Sequence, residues 1–451
     1  MKIFGGIAVV LSGLGVSGCH NASGEDQPAP VAISKTPPKT EATADLTATF
    51  QALDNKGDWK GLLQAGRNWQ KAHPGESKAY FAQARAAYML GDVETSIQGW
   101  EKLFALHPAS KRQGEGWLNT TRSVRRNFPG LKLRPIEWLQ GEASREQDEW
   151  QAKAAALLGA KKYDEIEKIA AQLQKSNASN AKGTPYLAFW LGGLSGGAES
   201  VSSQQNRVAA WRAARPRSDL ARLAEIKMWT DTGWRARGDG YASTITPAMR
   251  AKIDAALAQS SQRLKNLPPS AFQSPLAFVV ALDAGLLSGA PRQYLDQIFQ
   301  AGTRRFPNYL PLYRTRAIHL LPRWFGAPGE ALTMIEARAA QIGGAEGEIF
   351  YARVMWHLEQ VTGGLSKDFH YDYQRAARGL EVLQKRHPTS ISVQGARLAL
   401  AFENRDWKRA QQVLSSPTGH RLDTAWTLWG NTKAQISFAQ QRMLILGAKV
   451  P

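Results

Sequence analysis

Cysteine is almost absent from this chain. Cys19 stands alone among 451 residues, so no intrachain disulfide can form and no thiol cluster can hold a metal. Long apolar runs are equally scarce. Ile3–Val16 is the only one, short and glycine-rich against the roughly 20 apolar residues that span a bilayer. The rest therefore reads as a soluble body apart from any anchor. Negative charge is also in deficit: 38 Asp and Glu face 57 Lys and Arg, a net charge of +19. Such a surplus favours anionic partners such as phospholipid headgroups, lipopolysaccharide, acidic wall polymers or an acidic protein. Arginines spread evenly over exposed helix faces would instead serve only solubility. Strand-like alternation is rare, and neither H-x-x-x-H nor H-E-x-x-H occurs, so no metal or cofactor site is expected.

What is present begins at the N-terminus. Met1-Lys2 supplies a positive start, Ile3–Val16 an apolar core, and Val16-Ser17-Gly18-Cys19 the end of the segment. This is the plan of a secretory signal. The small residues before Cys19 resemble the lipobox of bacterial lipoproteins. That resemblance implies removal of residues 1–18, lipidation of Cys19, and anchoring by acyl chains; more than one chain is needed for stable attachment. An ordinary signal cleaved near a coincidental cysteine is the competing reading, and the lack of any disulfide partner stands against it. Residues 19–45 form a tether, with Pro28, Pro30, Pro37 and Pro38 opposing helix and sheet. His20, rather than aspartate, follows Cys19, so the lipobox resemblance implies an outer-membrane address facing the periplasm. Export makes nucleic acid a poor candidate partner.

From Thr47 onward the chain reads as helices, with apolar residues recurring every three or four positions. A period emerges. Gly57-Asp58 precedes His73-Pro74, and 34 residues later Gly91-Asp92 precedes His107-Pro108. Tyr80, Ala84, Ala87 and Tyr88 fall between them. The pattern resembles the tetratricopeptide repeat, whose period is 34. It returns near the C-terminus, where Arg386-His387-Pro388 follows Tyr373, and Asp406-Trp407-Lys408 echoes Asp58-Trp59-Lys60. Each such unit is a helical hairpin that buries its apolar face only by stacking on a neighbour. The expected fold is all-α, a helical-hairpin α-solenoid, with repeats at 46–125 and 350–425.

Residues 145–345 carry a second pattern. Gly183-x-x-Tyr186-Leu187-x-Phe189-Trp190 is followed by Trp234-Arg235-Ala236-Arg237-Gly238-Asp239-Gly240-Tyr241-Ala242 and Leu320-Leu321-Pro322-Arg323-Trp324-Phe325-Gly326. This order is similar to a bacterial helical domain of unknown function, with Phe325 where that family has glycine. The resemblance implies a helical fold and no reaction. Arg235, Arg237, Tyr241, Arg323 and Trp324 combine guanidinium forks with amphipathic rings, a set able to grip a carboxylate, phosphate or sugar. The plainer account makes Gly238-Asp239-Gly240 a turn and the aromatics packing anchors. Thr246 before Pro247 reads as a helix start.

Catalytic patterns are poor. Gly193-Leu194-Ser195-Gly196-Gly197 fits G-x-S-x-G, but that elbow requires a strand before the serine, and the flanks here read as helix. Ser179-Asn180-Ala181-Lys182 fits S-x-x-K without the accompanying motifs, in what reads as a polar loop. Asp164/Glu165 and Asp148/Glu167 read as solvated helix faces rather than a glycosidase pair. His357 and His370, with Glu359 and Asp368, lack metal spacing. Trp211 beside Arg212, Arg215 and Arg217 suggests a cation–π cluster. No enzyme activity is expected. The sequence points to a lipid-anchored cell-envelope scaffold that binds a protein or peptide partner through a helical-repeat surface. The alternative is a small anionic or glycan ligand, with or without catalysis, in the middle domain.

Overall fold

The structure is a computed structural model and describes residues 48–50, 52–53, 58–108, 115, 118–119, 121–122, 125–126, 137–197, 200–238, 244–322, 324, 326–362 and 370–423. They divide into two units, one spanning 142–404 and the other comprising described residues on either side of it. Each is an α-solenoid segment built of helical hairpins, and the only strands among the described residues are two of three residues each.

In the flanking unit, α1 (Trp59–Ala72), α2 (Ser77–Met89) and α3 (Val93–Leu106) pack in sequence. Asp58 and Asp92 cap α1 and α3, accepting from the Gly61 and Thr95 N–H groups at 2.9 and 3.0 Å. This satisfies donors that no helical carbonyl can reach. α2 is sandwiched between its neighbours and buried from Ala79 to Met89 apart from Phe81. Its alanines leave room for Trp59 and Trp100, both buried. β1 (Glu137–Leu139) closes the N-terminal part of this unit.

The larger unit runs through α4 (Glu142–Gly159), α5 (Tyr163–Ser176), α6 (Tyr186–Gly196), α7 (Val201–Ala214), α8 (Asp219–Arg237) and α9 (Pro247–Lys265). A 3-10 turn (Pro269–Gln273) leads to α10 (Pro275–Ser288). Then come α11 (Arg292–Arg305), α12 (Leu310–His319), α13 (Glu330–Ile342), α14 (Gly344–Thr362), α15 (Tyr373–Arg386) and α16 (Ile391–Glu403). From α4 to α14, each even-numbered helix packs on the next even one, and the odd helices flank them. Composition explains part of the division. α6, α10 and α12 are buried along nearly their whole length, including every residue of Leu187–Ser195, Pro275–Leu286 and Leu310–His319. α6 and α10 are apolar nearly all round, and such a helix belongs inside; α12 is buried with Arg314, Arg316 and His319 on it. α5, by contrast, buries a single stripe of Tyr163, Ile166, Ala170 and Leu173.

Close approach within the inner layer depends on small residues. A Cβ on Gly193 of α6 would lie 2.3 Å from the Gln151 carbonyl oxygen of α4. The last helix of this unit returns to the first. The Glu142 carboxylate accepts from the Ser390 hydroxyl and from the Ile391 and Ser392 N–H groups, the latter two at 3.2 and 3.3 Å. α4 thereby caps α16.

In the flanking unit, α17 (Trp407–Ser415) is capped by Asp406, and β2 (Arg421–Asp423) pairs in parallel with β1. The Asp423 carboxylate accepts from the Gly141 N–H at 2.9 Å.

One closure recurs through both units. α1, α3, α7, α11 and α15 end at His73, His107, Arg215, Phe306 and His387, with φ from −136° to −127° and ψ from 65° to 76°. Proline follows each of them. Clash with the proline ring drives the preceding residue out of the helical region, which fixes the stop. A tyrosine six residues after the proline ties two of these turns: Tyr80 donates to the Pro74 carbonyl and Tyr313 to the Pro307 carbonyl, both at 2.8 Å. No described helix is long and apolar enough to cross a membrane.

Candidate functional site

Of the residues singled out by sequence, Cys19, Tyr241 and Arg323 lie outside the described residues. Arg235 and Arg237 occupy the last turn of α8. Two residues apart on a helix they face different sides: Arg235 is exposed, while Arg237 is buried. The Arg237 guanidinium lies 6.0 Å from the Trp234 ring centre, and Trp324 meets Trp234 edge to face at 5.9 Å. The structure therefore brings Arg237, Trp234 and Trp324 together as packed groups and leaves Arg235 apart from them. Gly238, at φ +67°, ends the helix. Thr246 caps α9, accepting from the Met249 N–H at 3.2 Å.

Ser195 is not poised as a nucleophile. It sits inside α6 with no exposed surface, its hydroxyl 3.2 Å from the Gly192 carbonyl and 3.3 Å from Asp231 Oδ2. Asp231 in turn holds the Lys227 ammonium at 2.8 Å. Asp283 of α10 completes this buried group, and its Oδ1 has no hydrogen-bond partner. Burial pushes the Asp283 carboxyl up to about 6, with Lys227 pulling it back and Asp231 pushing it further. Sealed from solvent, this cluster holds helices together and meets no substrate.

The S-x-x-K segment also changes character. The structure corrects the expectation of a polar loop: residues 180–185 are buried. Gly183 adopts φ +81° at the tip, where a Cβ would lie 2.7 Å from Leu310 Cδ2 and 2.9 Å from Arg353 Cδ. Arg314 of α12 donates to Thr184 Oγ1 at 2.9 Å, to the Lys182 carbonyl, and to the Arg353 carbonyl at 3.3 Å. Arg353 of α14 donates to the Ala181 carbonyl at 3.0 Å. The Lys182 ammonium bonds Gln360 and lies 5.6 Å from the Trp356 ring centre. Burial, reinforced by Arg353, lowers Arg314 to about 9. His357 is held well below its ordinary value by burial, with Arg314 and Lys182 adding to the effect. Glu359 is pushed up to about 8 by burial and by Glu403. The two arginines clamp an inserted loop.

His370 is exposed while His357 is buried, and Asp368 lies outside the described residues. Among the described residues no group of three or more His, Cys, Asp or Glu is placed to hold a metal. Asp164 pairs with Arg215 at 2.7 Å. Trp211 is buried and stacked on Tyr163 at 6.3 Å, and Arg212 turns instead to Glu225 at 3.2 Å. The expected cation–π cluster is therefore not formed on Trp211 by Arg212 or Arg215.

An open concavity lies elsewhere among the described residues. Two adjoining recesses share Gln174, Leu187 and Phe306, one of about 250 Å³ and one of about 540 Å³. They are lined from α5, the starts of α6, α8 and α10, the 3-10 turn, and the segment 306–309 before α12. Glu167 borders the larger recess, accepting from the Ser218 hydroxyl, and its carboxyl is raised by burial. No short motif marks this groove, because its walls come from residues 167 to 309. The one local signal is the set of prolines at helix starts.

Residues 151–311 match a family described as a domain of unknown function, DUF4034. The resemblance read from the sequence holds there, and the Leu320–Phe325 motif falls beyond the match. No curated protein matches the chain. Among solved structures, the crystal structure of the yeast Tom70 is similar over 89% of this chain and 90% of that one, at 13% identity and a TM-score of 0.28. A superposition that loose carries no argument about partners.

Proposed function

We propose that this chain is a non-enzymatic interaction scaffold of a bacterial cell envelope, anchored through lipid on Cys19. The outer membrane, facing the periplasm, is the proposed address, and a protein or peptide segment is the proposed partner. The observation that carries the reading is the repeated hairpin itself. Five helices end in the same backbone closure before proline. Stacked hairpins present a broad side-chain surface suited to partner binding. The serine motifs that resemble catalytic ones are buried or tied into packing, which supports a surface-based role. The net charge of +19 suits an acidic partner or an anionic polymer.

Two linked measurements test this. Metabolic labelling with palmitate should mark the wild-type chain and not Cys19→Ala. Mild cross-linking in native membranes should then capture one reproducible envelope protein, with less captured by Cys19→Ala. Labelling that survives the substitution removes the anchor, and no enriched protein removes the scaffold.

A further inference from the structure

The groove beside α5 has an apolar wall and unmatched positive charge around it. Leu187, Leu220, Leu223, Leu276 and Phe306 line the larger recess, together with Ala171 on an exposed position of α5. Lys175 lines the same recess and is exposed. Arg305, also exposed, lays its guanidinium 5.8 Å from the centre of the Phe306 ring, the ring that both recesses share. Arg338 of α13 donates to the Pro307 carbonyl at 2.9 Å and to Asn308 Oδ1 at 3.0 Å, and both of these residues line the smaller recess. Among the described residues, none of the three cations is paired with a carboxylate: Arg338 bonds neutral oxygens, and Lys175 and Arg305 bond none.

The carboxylates of the groove are already matched. Asp219 holds Arg222 at 2.9 Å. Glu167 accepts from the Ser218 hydroxyl and lies in the field of Arg215, while burial raises its carboxyl. The groove therefore presents surplus positive charge beside a leucine-lined hollow of about 540 Å³. Unmatched cations draw acidic partners and turn cationic ones away. A desolvated apolar pocket supplies the anchor that fixes a partner in place. A hollow of this size takes the side chains of a segment laid across it.

We propose that this groove docks an acidic peptide segment of a partner protein. An apolar residue of the segment seats against Leu187 and Leu223, and its carboxylates lie beside Lys175, Arg305 and Arg338. This rests on the scaffold reading above and gives it a place on the surface. It also locates the recognition of negative charge away from Arg235 and Arg237, which occupy the opposite end of α8 from Asp219.

Fluorescence polarisation on the whole mature protein tests the groove. The probes are labelled nine-residue peptides with two leucines at every spacing from adjacent to five apart, in a glutamate and serine background. Matched sets replace glutamate by lysine, or leucine by alanine. At least one acidic leucine peptide should bind about tenfold or more tighter than its lysine and alanine counterparts. Lys175→Glu and Arg305→Glu, both at exposed positions, should each weaken it about fivefold. Ala171→Trp fills the larger recess from an exposed position and should weaken it about tenfold. Circular dichroism verifies that the variants fold. No binding by any acidic peptide, equal binding by the lysine set, or binding indifferent to Ala171→Trp and Arg305→Glu would each overturn the proposal. Phosphatidylglycerol vesicles that bind more tightly than the peptides, and lose binding in Arg305→Glu, would assign the surface to a membrane and overturn it too. Cross-linking in native membranes separates this from the scaffold reading. A partner captured equally by wild type and Ala171→Trp removes the groove alone, whereas no captured partner removes the scaffold.

Discussion

Asp283→Asn should stabilise this protein at neutral pH, although it removes a charge beside a lysine. The Asp283 carboxyl is 3% exposed, one of its oxygens has no hydrogen-bond partner, and its pKa is raised from 3.8 to about 6. Burial is the main cause, partly offset by Lys227. Between those two values the folded state keeps a proton that the unfolded chain has released. Stability therefore falls as pH rises through that window, and the whole penalty is present above about pH 6. A shift of this size corresponds to about 3 kcal/mol. Asparagine has nearly the shape of the protonated acid and cannot ionise, and Lys227 keeps Asp231 at 2.8 Å. Urea denaturation at pH 4 and pH 8 provides the assay. The variant should match the wild type near pH 4 and exceed it by up to about 3 kcal/mol at pH 8. A variant less stable than the wild type at pH 8 would show that the carboxylate is needed to neutralise Lys227, and the reasoning would fail.

Three further expectations concern packing. Arg314→Met leaves Thr184 and the Lys182 and Arg353 carbonyls without their donor, and should lower stability by about 3 kcal/mol. Hydrogen exchange should quicken across 180–185, and unchanged protection there would show that the clamp is not what holds the loop. Gly193→Ala drives a methyl group against the Gln151 backbone and should cost about 1–3 kcal/mol by denaturant unfolding, whereas a neutral result would mean that α4 and α6 separate readily. Asp92→Ala removes the cap of α3 and should cost about 1 kcal/mol, with Asp92→Asn recovering most of it; equal losses in the two variants would point to charge rather than capping.

Helix boundaries were legible where the deciding forces act within a few residues. Asp58, Asp92 and Asp406 each cap the helix that follows, and His73, His107 and His387 each stop a helix before a proline. Arg215-Pro216 and Phe306-Pro307 close helices in the same geometry, but without the histidine they do not stand out as repeat ends. Proline sterics, not histidine, were the transferable signal. The site was much less legible. Arg237 and Trp324 do come near one another, through Trp234, whereas Arg235 on the same helix faces elsewhere.

By itself, then, the sequence determined the all-helical character, the hairpin period and the helix ends, because capping and backbone sterics are local. It also confined any thiol chemistry to Cys19. Only the tertiary structure decided what the polar residues do. Ala181 to Thr184 reads as loop from its composition, yet Arg314 and Arg353, more than a hundred residues away, draw it inside and bind its carbonyls. The groove arises in the same way, where helix starts distant in sequence converge on one recess. Burial and convergence are properties of long-range packing, and no window of neighbouring residues contains them.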